Sequence, residues 1–114
     1  MRIILLPDVL EYLGNLSEIL YEKGYFSFEE ISLNYILDLY DDILTTLSLR
    51  SYKSAPTYFN KYGKGMKYAI FTKNKRTTWY VFFTKYNYND EIVYLVRYIT
   101  NNHTVAQYIN GIGL

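Results

Sequence analysis

Apolar residues recur first with the period of a helix and later with that of a strand, and the change falls near Met66. Residues Arg2 to Leu6 form a short run, β-branched at Ile3 and Ile4 and closed by Pro7, which predicts a strand at or near a sheet edge. Val9, Leu13, Leu16 and Leu20 then repeat at three- and four-residue spacing. With Asp8 placed to cap and Gly24 placed to stop, a first helix is expected over residues 8–23. Ser27 and Glu30 have the spacing of a capping box, with Phe26 and Ile31 placed for a hydrophobic staple. The stripe Phe28, Ile31, Tyr35, Leu39, Ile43 and Leu47 extends that start into a second helix over residues 28–48. The short link between the two helices implies an antiparallel hairpin whose acidic outer faces meet solvent.

Residues 50–65 break any long period with Ser51, Ser54, Pro56, Asn60, Gly63 and Gly65, and read as a basic, aromatic loop. Strands are expected at Lys67 to Thr72, Thr78 to Thr84 and Ile92 to Ile99, joined by polar connections short enough for hairpins. In the middle strand Trp79, Val81 and Phe83 share one face, and Tyr80 and Phe82 share the other. Both faces are thus apolar, as in a central strand covered on both sides. Thr104 to Ile109 suits a short closing helix. The order β-α-α-β-β-β-α predicts one α+β domain over residues 1–114, a curved antiparallel sheet with the N-terminal helical hairpin packed on one face. The first strand must return beside one of the later three.

The near-neutral total charge hides a segregation. Up to Leu49 there are nine acids against two bases, whereas Arg50 to Asn87 carries nine bases and no acid. A basic stretch of that kind attracts phosphate, and Tyr52, Tyr58, Tyr62, Tyr68, Trp79 and Tyr86 lie among its cations, as suits stacked, unpaired bases. A solvated surface is the plain alternative. With no cysteine there is no disulfide framework and no thiolate site, and with one histidine a zinc site would need carboxylates that do not cluster. No metal or cofactor is therefore expected. The opening apolar run is too short for a signal-peptide core or a membrane span, so the expectation is a cytoplasmic protein without a membrane partner.

A short first strand, a helical hairpin, a basic link and the meander Met66 to Phe71, Thr78 to Phe83 and Ile92 to His103 resemble the RelE/ParE superfamily of bacterial type II toxins over nearly the whole chain. The resemblance implies a toxin neutralised by a cognate antitoxin that wraps its surface. Many members cut messenger RNA in the ribosomal decoding site, and another branch poisons DNA gyrase. The family's RNA-cutting residues would correspond to Lys61, Lys64 and Lys67 at or before the second strand, Arg97 in the last strand, and His103 with Tyr108 beyond it. Where members commonly have Tyr-Arg in the second strand, this chain has Tyr68 and Ala69.

Metal-independent RNA cleavage needs a group to take the proton of the 2′-hydroxyl, one to protonate the leaving oxygen, and cations to hold the phosphorane. His103 is the side chain whose ordinary pKa lies near neutrality and is the natural acid or base. Arg97, charged among Tyr94, Val96 and Tyr98, must reach either a phosphate or a structural acid. The catalytic candidates are thus Arg97, His103, Lys67 and Tyr108. Phosphate contacts are expected from Lys53, Lys61, Lys64, Lys73, Lys75 and Arg76, with Gly63 and Gly65 letting the backbone approach an anion. Trp79 reads as core, and the acid pairs Glu29-Glu30 and Asp41-Asp42 face solvent without the opposed carboxylate of a glycosidase. Two other readings stand beside the ribosome-linked nuclease. One is a gyrase-directed or non-catalytic toxin, and the other an interaction domain of the same fold, including a homodimer joined through the opposite charges of its two halves.

Overall fold

Pro7 opens the first helix because an N1 residue needs no amide hydrogen, and this locks the chain's turn out of the first strand. The computed structural model describes residues 1–73 and 77–102. In chain order they form β1 (Arg2–Leu5), α1 (Pro7–Glu22), α2 (Glu29–Thr46), β2 (Lys53–Ser54), β3 (Lys67–Thr72), β4 (Thr78–Tyr88) and β5 (Glu91–Asn101), with 3₁₀ turns at Leu47–Leu49 and Thr57–Tyr62. The five strands make one sheet in the order β1-β5-β4-β3-β2. It is mixed, which corrects the expectation of a wholly antiparallel sheet: β1 lies parallel to β5, with Ile3 opposite Tyr94 and Leu5 opposite Val96. A crossover through two helices permits a parallel return that a hairpin cannot make. The two-residue β2 is also an addition, and the short helix expected at 104–109 lies outside the described residues.

Helix ends differ from the sequence expectation in instructive ways. At α1 the N-cap is Leu6, so Asp8 sits in the first turn facing the helix dipole and does not cap. Its C-terminus ends as expected: Gly24 has φ 79°, its N–H donates to the Tyr21 carbonyl, and the Tyr25 N–H donates to that of Leu20, a Schellman motif. At α2 the capping box does not form. The N-cap is Phe28, without a side-chain cap, and Phe26 packs on Tyr35 with ring centroids 5.2 Å apart. Phe28 and Ile31 are exposed, while Ser32, Ile36, Leu39 and Ile43 are buried. The helix is turned because the Ser32 hydroxyl donates to the Ser17 carbonyl of α1, and the Tyr35 hydroxyl accepts from Trp79 Nε1 at 2.9 Å.

Two cores flank the sheet. The first joins α1 and α2 to Phe71, Trp79, Val81, Phe83 and Val96, all on one face. The second, on the opposite face, gathers Tyr68, Tyr80 and Phe82 under Phe59 and Met66. Central β4 is therefore covered on both faces by the side chains its alternation predicts. What covers the second face is the stretch expected as a loop: residues 53–66 form a strap, pinned by the β2–β3 pairing, by the Ala55 N–H to Met66 carbonyl bond and by buried Phe59. Strands β4 and β5 also run further than predicted, to a two-residue turn at Asn89 and Asp90. Both turn residues have positive φ, which Asn and Asp tolerate better than most residues.

Candidate functional site

Antiparallel register places each residue of β5 opposite one of β4 until Phe82 and Phe83. There Tyr98 faces Phe82, Val96 faces Phe83, and Arg97 is the extra residue of a β-bulge. A bulge turns two successive side chains toward one side of the strand and so re-aims them. Arg97 accordingly leaves the sheet beside Tyr98, on the face of the second core. Its Nε donates to Thr84 Oγ1 at 2.9 Å and its Nη2 to the Tyr86 hydroxyl at 2.8 Å. Gly63 of the strap closes over its alkyl stem so tightly that a Cβ there would come within 2.7 Å of Arg97 Cδ.

The cleft in front of this guanidinium measures about 250 Å³ and opens between α1 and the outer edge of β5. Tyr62 and Tyr98 stack on one another in it, centroids 3.8 Å apart and planes 7° from parallel. From α1 come Asp8 and Tyr12. Neither Thr84 nor Tyr86 carries charge, so the Arg97 cation is held without being neutralised. Asp8 lines the same cleft without an ion pair to Arg97 among the described residues. Lys61 lies 4.4 Å from the Tyr58 ring and 5.4 Å from that of Tyr62, adding a second cation beside the stacked pair.

Burial sets the proton state of the cleft's phenols. It pushes the Tyr12 hydroxyl up to about 12, with the nearby Tyr98 adding to the effect. It also raises Tyr98, reinforced by a hydrogen bond to Tyr62 and opposed by Thr100 and Lys61. Both phenols are therefore protonated donors at neutral pH and cannot serve as bases there. These shifts carry a stability consequence whose sign is fixed. Unfolding returns the phenols to their ordinary value near 10, so above that pH the unfolded state releases protons that the folded state retains. Stability should be unaffected below about pH 10 and fall as the pH climbs toward 12. Tyrosinate absorbance followed against pH, beside a pH series of urea midpoints, checks both halves of this expectation.

The other cations of the basic stretch divide. Arg50 is spent on structure: Nη2 meets Asp42 Oδ2 at 3.1 Å, Nε donates to Thr46, Nη1 donates to the Ile70 carbonyl, and the plane lies 3.8 Å from the Phe71 centroid. It thereby blocks the edge of β3 beyond the short β2. Lys73 pairs with the same Asp42 at 3.8 Å, so a residue expected to anchor phosphate is engaged by an acid of α2. Lys67 donates to Ser54 at 3.0 Å and sits opposite Phe83, on the helix-bearing side of the pleat, whereas Arg97 is on the other side. The sheet thus separates two residues expected to act together. Lys53, Lys61 and Lys64 are exposed on the strap. His103, Tyr108, Lys75 and Arg76 lie outside the described residues.

Sequence reasoning missed Asp8, Tyr12, Tyr62, Tyr98, Thr84 and Tyr86 as parts of one site. The signal at hand was the excess of tyrosine, whose hydroxyls need partners or water when buried. No protein-family model, curated protein or solved structure matches the chain. Among the described residues no cluster of three His, Cys, Asp or Glu could hold a metal ion, and no helix is long and apolar enough to cross a membrane.

Proposed function

We propose that this protein is a RelE-like toxin of a type II toxin-antitoxin system. In this reading it is a metal-independent endoribonuclease that cuts messenger RNA, engaged on the ribosome in the cytoplasm and restrained by a cognate antitoxin. The observation that carries the reading is Arg97. A bulge aims it into a cleft, two neutral hydroxyls hold it, and its positive charge remains available to an anion. An anionic phosphate fits that site better than a neutral ligand does, because a partly desolvated guanidinium forms two parallel hydrogen bonds to phosphate oxygens. The stacked Tyr62 and Tyr98 offer a flat flank for a base, and Lys61 offers a second phosphate contact.

Within this reading the division of labour follows from proton states. Arg97 stabilises the charge that accumulates on the phosphorane. Tyr12, held protonated, donates a hydrogen bond to one of its oxygens, and Tyr98 serves as the flat flank. The base that takes the 2′-hydroxyl proton is assigned to His103, with Tyr108 a further donor. The order of β1, the helical hairpin and the β3-β4-β5 meander supports the family reading. Controlled expression of the wild type beside His103→Ala, with growth followed and transcript 5′ ends mapped, tests it. New ends inside translated codons, lost in the variant, are expected. An intact transcriptome with normal growth would refute nuclease activity.

One observation favours a second reading, a gyrase-directed or non-cleaving toxin of the same fold. Ala69, where the family commonly has arginine, is buried in the first core beneath the helices, and a guanidinium could not stand there. DNA-damage signalling without transcript cleavage would select this alternative.

A further inference from the structure

The outer surface of the helical hairpin has apolar residues that neither core uses. Along α1, Tyr12 and Asp8 look toward the β5 edge, so Leu10, Gly14 and Tyr21 lie on the opposite flank, where Ser17 meets Ser32 of α2. Along α2, Asp42 reaches Arg50 and Lys73 at the β3 edge, which places Leu33 and Leu37 on the flank turned back toward α1. At 100° per residue in two antiparallel helices these flanks face one another and form a shallow groove about three turns long. Leu10, Leu33 and Leu37 are 45, 46 and 51% exposed. In the groove Gly14 has nothing within 4 Å of where a Cβ would stand.

Acids border the groove on both sides. Glu11 and Glu18 stand on the α1 ridge, Glu30 and Asp41 on that of α2, and all four are exposed. An apolar trough between two acidic ridges is complementary to one kind of surface: a helix with leucine-like residues on one face and lysine or arginine on both flanks. A lipid surface fits poorly, because the acidic ridges oppose anionic headgroups. A second copy fits poorly too, since the exposed lysines Lys53, Lys61 and Lys64 ride on a strap, and neither helix of the hairpin carries lysine or arginine within its span. The geometry points to this groove as the docking site for a basic amphipathic helix of a partner protein. The inference is independent of the Arg97 cleft and of any RNA chemistry.

A synthetic peptide of about four helical turns, leucine on one face and lysine on both flanks, is the probe, with a glutamate-flanked version as control. Fluorescence anisotropy with the full chain should show binding of the lysine peptide that weakens with salt, and none of the control. Leu37→Gln and Gly14→Gln alter the trough without changing its charge, and glutamine is a better helix former than glycine, so the fold is kept. Each should weaken the lysine peptide roughly tenfold or more, with an unchanged circular dichroism spectrum. Absent binding, equal binding of both peptides, or equal binding by both variants would overturn the inference. So would a dimer of the wild-type chain that Gly14→Gln dissociates, since a second copy would then occupy the groove.

Discussion

Alanine at position 97 is expected, on the proposed function, to lower RNA cleavage by roughly 10²–10³-fold, the loss typical of removing one preorganised donor from a developing anion. Stability should hardly change. The side chain is partly exposed, and its partners Thr84 and Tyr86 lie where water can replace it. Lysine should not rescue the reaction, because an ammonium cannot bond Thr84 and Tyr86 with one plane and present the remaining N–H groups to a phosphate. Gly63→Ala should reproduce part of the defect with the arginine still present, since the new methyl must displace the stem at Cδ, and at φ 157° it should also lower the urea midpoint. Cleavage assayed beside urea unfolding separates the outcomes. A large fall in activity at an unchanged midpoint is the expected pattern for Arg97→Ala, whereas wild-type cleavage by that variant would remove the arginine from the site.

The second large effect concerns the strap. Phe59 is fully buried, stacks on Phe82 with centroids 4.5 Å apart, and meets Tyr98 at 6.2 Å. Truncation to alanine should cost about 3–5 kcal/mol, the usual range for a buried phenylalanine and a large share of a domain's stability. Because the strap is otherwise held by a two-residue strand and few backbone bonds, the loss should fall first on its docking. Trp79 reports on the first core, across the sheet from Phe59. Proteolysis within residues 53–66 at denaturant concentrations that leave tryptophan fluorescence native is therefore expected. Simultaneous loss of both signals would show the two cores to unfold as one. Docking of the strap also sets Tyr62 and Gly63 against Tyr98 and Arg97, so on the proposed function RNA affinity should fall in the same variant.

Much of the architecture was legible because one rule acted alone. Helical and strand periods located every major element, and the double apolar face of Trp79 to Phe83 announced a strand covered on both sides. Misreadings occurred where a tertiary contact outweighed a local signal. The Ser27 and Glu30 spacing is that of a capping box, yet contacts from Ser32 to α1 and Tyr35 to Trp79 fix the rotation of α2 and leave Ile31 exposed. Charge segregation was visible, but not that Asp42 engages Arg50 and Lys73 and so removes two cations from the basic surface. The bulge at Arg97 was invisible for a different reason. Alternation alone assigns each residue a face, whereas a one-residue insertion depends on how two distant strands register. The cleft assembles α1, the strap and β5, three segments far apart in the chain, and no local pattern links them.

The parallel pairing of β1 with β5 has a consequence for how the protein is made. β1 is synthesised well before its partner β5, so Arg2–Leu5 must wait for Val93–Val96 before its hydrogen bonds can close. At about 5–20 residues per second, the N-terminal helices are exposed for seconds without the sheet that covers their apolar faces. During that interval the chain has no Arg97 cleft, because β5 supplies the arginine and the edge beside which α1 must lie. A polypeptide released before β5 is made lacks that strand and with it the activity proposed here. Under the proposed function, synthesis through β5 is thus a condition for harm to the cell that makes it.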